Sequence, residues 1–381
     1  MKYLAILLIA LLLISCSENY KLKTKILSID SDTTVLAKMQ IKYAKGFSVY
    51  YYKNYKKITV YNPWKNDQIF YEYIIVSDTS LLKQNKENKF YISTKKLENI
   101  AQLSSTQINM FQELGLLDRI KAVSTLSFLY NNTIIDKINK EQIIELGNDQ
   151  NLNIEKCITQ NFDAIFTTGW DKLNENYKKL IEQQIPVIFS FDWQEESPLG
   201  RAEWIKFISV FFNKEKIAEN YFNNIEKKYI ELQKIAKTSK NKPAVFNGYA
   251  INGTWYVAGS ESYLVRLFND ANAQYIFSYN NSKGSVPLSI ETVFAKAKNA
   301  DFWVVTAGND FLLSDNRYNM FKAKTNKNIY SNNNRINSFG GNDYWESAVI
   351  HPELQLQDFI NIFHKNLLSD TNLIYHKKII K

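Results

Sequence analysis

Two stretches of the chain carry the same signature in the same order, and this limits the folds open to it. Leu152-Asn153-Ile154-Glu155 precedes a helical segment and then the run Asp163-Ala164-Ile165-Phe166-Thr167-Thr168-Gly169. Leu288-Ser289-Ile290-Glu291 precedes another helical segment and then Asp301-Phe302-Trp303-Val304-Val305-Thr306-Ala307-Gly308. Each copy reads L-x-I-E, with Asn or Ser placed to cap a helix by accepting an amide hydrogen bond, and ends in an acid-led apolar strand and a glycine turn. Chance can produce either motif alone; the matched order predicts two similar α/β lobes. Further apolar runs, such as Pro186 to Ser190, alternate with helical stretches in the pattern of parallel strands covered by helices.

Between the copies, Trp204, Phe207, Ile208, Phe211 and Phe212 recur at i, i+3, i+4, i+7 and i+8 and form one apolar stripe. Asn213 reads as a fresh N-cap, after which Ala218, Tyr221, Phe222, Ile225 and Tyr229 form a second stripe. A single helix from Lys214 to Lys237 would measure about 36 Å at 1.5 Å per residue. Such a rod joins two lobes while restricting hinge motion. Residues 41–76 instead alternate as strands around an Asn62-Pro63-Trp64 turn, which predicts an antiparallel elaboration of the first lobe with mostly structural aromatics.

The N-terminus addresses the compartment. Leu4 to Ile14 is an unbroken run of eleven apolar residues. That is too short for a membrane span of about 20 residues and suits the core of a secretory signal. The run stops at Ser15-Cys16, which resembles a bacterial lipobox, with Cys16 lipidated as the mature N-terminus; the alternative is an ordinary signal peptide and a chance cysteine. More than one acyl chain makes anchoring stable, at about 0.8 kcal/mol per buried methylene. Removal of residues 1–15 leaves Cys157 as the one thiol outside the anchor, so an intramolecular disulfide is excluded; its place beside Ile158 in an expected helix reads as a small buried side chain. The expected divisions are thus a leader at 1–15, a lipid-anchored tether at 16–40, a first lobe at 41–197, a helical connector at 198–240 and a second lobe at 241–381.

The net charge of +9 comes from scattered lysines, with no dense basic block or nucleic-acid motif, so no nucleic-acid partner is expected. Only three histidines are present, His351, His364 and His376, all near the C-terminus. A site for a bare transition metal gathers several His and carboxylate ligands, which disfavours free zinc or manganese. A metal wrapped in a chelator, or a corrinoid, needs no such ligands, and for haem a Tyr or His can serve axially.

With these features in place, the chain resembles the bacterial substrate-binding lipoproteins of ABC transporters, in the single-helix-linker class that captures iron-siderophore complexes, haem or cobalamin. The resemblance runs over residues 41–381 through YAKGF (43–47), VYNPW (60–64), GNDQNLNIE (147–155), PLGRAEWIKF (198–207), TWYVAGSESYL (254–264) and GGNDYWESAV (340–349). It implies an α/β fold of two Rossmann-like lobes joined by a long α-helix, with the N-terminal β elaboration attached, and a ligand cleft at the carboxyl ends of the strands. It implies a monomer with no resident cofactor, anchored at the cell envelope with the periplasm-facing inner membrane as default. Its partners would be an ABC permease dimer and a small-molecule metal chelate, a ferric siderophore first and haem or cobalamin as alternatives.

Carried onto this sequence, the first lobe would line the cleft with Ser105, Thr106, Trp170, Asp192 and Trp193, and Arg201 would stand close by. The second lobe would add Trp255, Tyr256, Arg335, Tyr344 and Trp345. Trp and Tyr offer broad stacking surfaces, and Arg pairs with carboxylates in a bidentate fork. Taken singly, each aromatic is as compatible with a core, and Arg201 with a neighbouring carboxylate such as Glu203 or Glu196. In the family, one glutamate of each lobe docks onto permease arginines; Glu155 and Glu291 occupy the equivalent repeat positions, although favourable interaction with a helix dipole would alone explain an acid there. Two other classes stay open. A tethered hydrolase would use Asp192, Glu195 and Glu196, without any G-x-S-x-G, H-E-x-x-H or P-loop pattern; a sensor lipoprotein would need no permease.

Overall fold

The computed structural model describes residues 34–65, 68–81, 89–306 and 316–379. The expected leader, Cys16 and most of the expected tether lie outside the described residues.

The repeated signature is a repeat of structure. In both copies the capping side chain accepts an amide hydrogen bond: Asn153 from Lys156 N, and Ser289 from Thr292 N. In both, the acid at the head of the strand ties down the start of the strand beside it. Asp163 Oδ2 accepts from Glu98 N and Asn99 N at 2.9 and 2.7 Å, while Asp301 Oδ2 accepts from Ala244 N at 2.9 Å. The apolar runs that follow are buried strands, Ala164–Thr168 and Phe302–Val305, as parallel strands covered on both faces require.

Each copy belongs to its own five-stranded sheet. The first runs in the spatial order Val187–Ser190, Ala164–Thr168, Ile100–Gln102, Ile120–Val123, Ile144–Glu145, with every pair parallel. The second runs Gln274–Tyr275, Ala244–Asn247, Phe302–Val305, Ile329–Ser331, Lys377–Lys378, and only its last pair is antiparallel. In both, strand order reverses beside the first strand of the lobe. Doubly wound sheets open a crevice at such a reversal, because the chain leaves toward opposite faces there. A small antiparallel sheet, Tyr249–Ile251, Thr254–Ala258 and Ser285–Ser289, grows from the carboxyl end of Ala244–Asn247.

The N-terminal strands form a further sheet, Ala37–Lys38, Phe47–Tyr51, Tyr55–Tyr61, Ile69–Val76 and Lys89–Ser93 in sequence order. Three pairs are antiparallel as expected, but the last is parallel. The reason is length: residues 77–88 separate the two strands, enough for a crossover where a tight turn would have reversed the chain. The connector is helical and ends in the expected long helix. It is three helices, Pro198–Glu203, Ile205–Phe211 and Glu215–Ala236. Asn213 does not cap the third; it takes positive φ (54°) after the second, a role Asn fills more easily than β-branched residues, and Lys214 occupies the N-cap. Every residue of Ile205–Phe211 is buried, with Phe207 and Phe211 packed edge-on against Tyr73 from the N-terminal sheet.

That sheet also seals the open edge of the first parallel sheet. Tyr73 Oη donates to Val187 O at 3.1 Å and accepts from Phe189 N at 2.8 Å, standing in for a missing neighbour strand. Tyr73→Phe removes both bonds and leaves Phe189 N–H buried without an acceptor. The expected loss of stability is about 1–3 kcal/mol, measured by denaturant unfolding with an unchanged m-value.

Candidate functional site

The two strand-order reversals face one cleft. From the first lobe, the carboxyl ends of Ile100–Gln102 and Ala164–Thr168 lead into Ser104-Ser105-Thr106 and Gly169-Trp170. Ser104, Ser105, Thr106 and Trp170 border a hollow of about 240 Å³ with Ser124, Phe128 and Trp193. From the second lobe, the ends of Ala244–Asn247 and Phe302–Val305 deliver Gly248, Tyr249 and Thr306 to a chamber of about 580 Å³. Trp193 borders both spaces, and Gln194, Glu195 and Glu196 of the same first-lobe loop reach the larger one, so it lies between the lobes. Gly248 has φ of +89°, and a Cβ there would lie 1.9 Å from Tyr256 O; the residue lets the small sheet fold back to present Tyr256 to the chamber.

The first-lobe wall is a set of indoles. Trp170 is 50% exposed, and its Nε1 donates to Asp149 Oδ2 at 2.9 Å, which fixes the ring 4.9 Å from Trp193. Trp64 joins the group at 5.8 Å from Trp193. Trp64 borders neither hollow and packs behind Trp193, where Asn62 Oδ1 closes the Asn62-Pro63-Trp64 turn by accepting from Trp64 N. Ser105 and Thr106 are half-buried at the rim of the smaller hollow. Asp192 needs correction: it is fully buried, accepting from Ser190 Oγ at 2.9 Å, Gln107 Nε2 at 3.0 Å and Thr106 Oγ1 at 3.2 Å, and it orders the loop beneath Trp193.

The second-lobe wall also divides. Tyr256 and Trp345, 42% and 39% exposed, line the larger chamber. Trp255 does not: strand alternation turns it to the opposite face, where it is fully buried, donates from Nε1 to Asn247 O and packs at 5.5 Å on Trp303. Tyr344 is likewise buried, with its ring edge-on to Trp345 and His376. Tyr263, which was not foreseen, lines the chamber, and the Arg201 guanidinium lies behind it 4.2 Å over the ring. Neither carboxylate expected to pair with Arg201 does so. Glu203 binds Lys206 and the amides of Lys42, Tyr43 and Ala44. Glu196 holds Lys45 of the N-terminal segment and Lys283 of the second lobe.

The Asn-rich loop at residues 332–346 joins the lobes. Asn337 Nδ2 donates to Leu129 O at 2.8 Å, and Glu346 Oε2 accepts from Tyr130 N at 2.7 Å. Any Cβ on Gly341 would stand 1.9 Å from Leu129 O, so the seam closes only over a glycine. Arg335 spends its charge here. Its Nε lies 3.0 Å from Asp343 Oδ2 without hydrogen-bond alignment, and the guanidinium rests over Tyr130 and Tyr375. Burial, reinforced by Asp343, pushes the Glu346 carboxyl up to about 8.

Glu155 and Glu291 are exposed in the first turns of Ile154–Thr159 and Ile290–Ala297, away from the cleft lining. Cys157 is buried in the former helix, and burial pushes its thiol up to about 11. Among the described residues no three His, Cys, Asp or Glu side chains are grouped to hold a metal ion, and no helix is long and apolar enough to cross a membrane.

Residues 100–335 match the family described as periplasmic binding protein. An uncharacterized lipoprotein of Methanocaldococcus jannaschii is 27% identical over 351 residues, covering 85% of this chain and 81% of its own length. Among solved structures, a possible iron-binding (periplasmic solute-binding) protein from Staphylococcus epidermidis is similar with a TM-score of 0.55 at 18% identity, covering 71% of this chain and 100% of that one. The periplasmic haem-binding protein RhuT from Roseiflexus sp. RS-1 gives 0.54 at 15% identity, over 71% and 99%. The periplasmic vitamin B12 binding protein BtuF of Vibrio cholerae gives 0.50 at 15% identity, over 71% and 99%. At these identities the likeness is one of fold.

The seam makes stability depend on pH. Because the folded-state pKa of Glu346 lies above its unfolded value of about 4.3, the native state holds the extra proton between them, and stability falls as pH rises from about 4.3 to 8. Glu346→Gln removes this contribution. Between pH 5 and 8 the wild type is expected to lose up to about 4 kcal/mol relative to the variant, read from paired urea titrations.

Proposed function

The chain belongs to the periplasmic binding protein family, and on that premise we propose that it is a lipid-anchored capture protein that delivers a metal chelate to an ABC permease. One observation carries the reading: the strand ends of the two lobes open onto neighbouring hollows that share Trp193, walled by Trp170 on one side and by Tyr256 and Trp345 on the other. Flat or macrocyclic ligands suit such walls, because each ring offers stacking area at small conformational cost. A ferric siderophore is the first candidate, with haem and cobalamin as alternatives within the same class. Anchoring through Cys16, a periplasm-facing inner-membrane location and a monomeric state belong to the proposal, as do the division into leader, tether, two lobes and helical connector.

The carboxylates that a hydrolase would need have other occupations. Asp192 orders its own loop, Glu195 accepts from Lys45 N, Gly46 N and Trp204 Nε1, and Glu196 bridges two lysines. None is left to act as a general acid or base in the cleft. This supports binding without chemistry on the ligand.

Glu155 and Glu291 are assigned to permease docking. Both are exposed, and both sit on helices capped in the same way at equivalent points of the two lobes. The double variant Glu155→Ala with Glu291→Ala is expected to abolish uptake while ligand affinity stays within twofold; equal loss of both would remove the assignment. Ligand class is tested by tryptophan fluorescence titration with a ferric siderophore, haem and cyanocobalamin. One of them should quench the wild type, and Trp193→Ala should weaken that ligand about tenfold, within the 1–3 kcal/mol range of a stacking contact. A folded protein that responds to none of them would overturn the reading.

A further inference from the structure

Residues 50–57 read YYYKNYKK, four tyrosines and three lysines without an acid, and the cleft makes no use of them. They form the hairpin between Phe47–Tyr51 and Tyr55–Tyr61, closed by Tyr52 N donating to Tyr55 O at 2.9 Å over the turn Lys53-Asn54. The rings of Tyr52 and Tyr55 stack 4.3 Å apart, and Lys53 stands exposed at the tip. Lys56 and Lys57 are committed to Glu215 and Glu72. Among the described residues no ion pair engages Lys53, nor Lys38, whose ammonium lies 5.4 Å over the Tyr50 ring. The edge strand adds an apolar part: Leu36 N donates to Tyr51 O at 2.8 Å, which lays Val35 and Leu36, 47% and 64% exposed, along the same end of the sheet. Aliphatic and tyrosine side chains with lysines beside them suit a bilayer interface, where rings settle at headgroup level and ammonium groups meet lipid phosphate.

The point where the chain enters the body identifies the surface. The described body begins at Thr34, at this same end of the sheet, and Cys16 stands eighteen residues earlier. Even at full extension that length of chain spans only about 60 Å, so a bilayer that holds Cys16 stays within reach of the hairpin and the contact becomes intramolecular. The acids at this end are balanced. Glu215 and Glu219 pair with Lys56 and Lys216, and Asp78, which accepts from Ser80 N, lies in the field of Lys95. Lys38 and Lys53 are thus the charges left to meet an anionic surface. The cleft lies at the far end of the same strands: Tyr55–Tyr61 spans about 20 Å, and the turn after it sets Trp64 against Phe191 and Trp193.

We propose that the hairpin end of the N-terminal sheet, through Val35, Leu36, Lys38, Tyr52, Lys53 and Tyr55, rests on the anionic lipid surface that holds the anchor. In that posture the cleft points away from the bilayer and fills from the surrounding solution, and delivery to the permease requires the body to lift and turn over. The surface rests on the reading of Cys16 as a lipid anchor, which turns a weak headgroup contact into a populated one.

Two arms test the surface apart from the anchor. In the first, the mature polypeptide from Ser17, made without lipid, is sedimented with vesicles of phosphatidylcholine alone and with vesicles of equal parts phosphatidylcholine and phosphatidylglycerol. It should bind the second and not the first, and Lys38→Gln and Lys53→Gln should each weaken binding about fivefold. Both side chains are exposed, so neither change disturbs folding. Equal partition of wild type and the double variant overturns the proposal. In the second arm, the mature chain is coupled through Cys16 to a maleimide lipid in the phosphatidylglycerol vesicles, for which the buried Cys157 does not compete, and lysine acetylation is mapped. Lys38 and Lys53 should be protected, while Lys172, exposed near Trp170 at the cleft end, should react as in solution. A Lys53 as reactive as in solution overturns the proposal. Vesicle binding that needs Lys38 and Lys53, in a chain whose Cys16 carries no lipid in its host, would support the surface while ending the anchor reading; lipid on Cys16 with no contribution from either lysine would do the reverse.

Discussion

Two buried carboxylates hold the N-terminal segment to the joint between the lobes, and the shape of the cleft depends on them. Glu203 accepts from the backbone amides of Lys42, Tyr43 and Ala44, and Glu195 takes those of Lys45 and Gly46. Five successive N–H groups thus converge on two side chains. Burial alone would make such carboxylates costly, and it raises the pKa of Glu195; the amide bonds and Trp204 Nε1 oppose that shift. Lys206 completes the arrangement with an ion pair to Glu203 and a bond to Gln40 O. From this fixed start the chain enters the N-terminal sheet, which brings Tyr73 to the edge of the first lobe and Trp64 to Trp193. The same segment reaches the long helix through Lys42 and Tyr43, both bonded to Glu226. A stretch remote in sequence from the strand ends therefore supplies the packing behind Trp193 of the cleft wall.

Legibility followed the range of the interaction. The lobes were readable because their signals are local: a cap, an acid at a strand head and a buried apolar run each act within a few residues, and the two copies fold to the same arrangement. The direction of Lys89–Ser93 was not, since it depends on where a crossover returns the chain. Among the proposed wall residues, composition directed attention to the aromatics but could not assign their faces. Trp255 and Tyr256 are adjacent, and the pleat of one strand sends the first into the core and the second to the cleft. Arg201 was placed near the cleft, with a carboxylate nearby in sequence as the alternative, and its contact is Tyr263, more than sixty residues away. Nothing short-range encodes that pairing.

The loop NNNRINSFGGNDYWES shows how one stretch can serve two demands. Its Asn337 and Gly341 are explained by the seam with Ser127 to Asn131, where backbone must approach backbone. Its aromatics are split by the turn, with Tyr344 held in the core and Trp345 left at the chamber. The element that closes the lobes together thereby carries a residue of the chamber wall, so the wall and the lobe contact are mechanically linked through a few residues of chain.

The Tyr73 hydroxyl has a consequence beyond one protein molecule. An uncovered strand at Val187–Ser190 would present alternating donors and acceptors to any passing chain, and at high protein concentration neighbours would collide there often. By occupying those groups from within, the N-terminal sheet keeps crowded copies from zipping together edge to edge, and the protein can be concentrated without becoming adhesive.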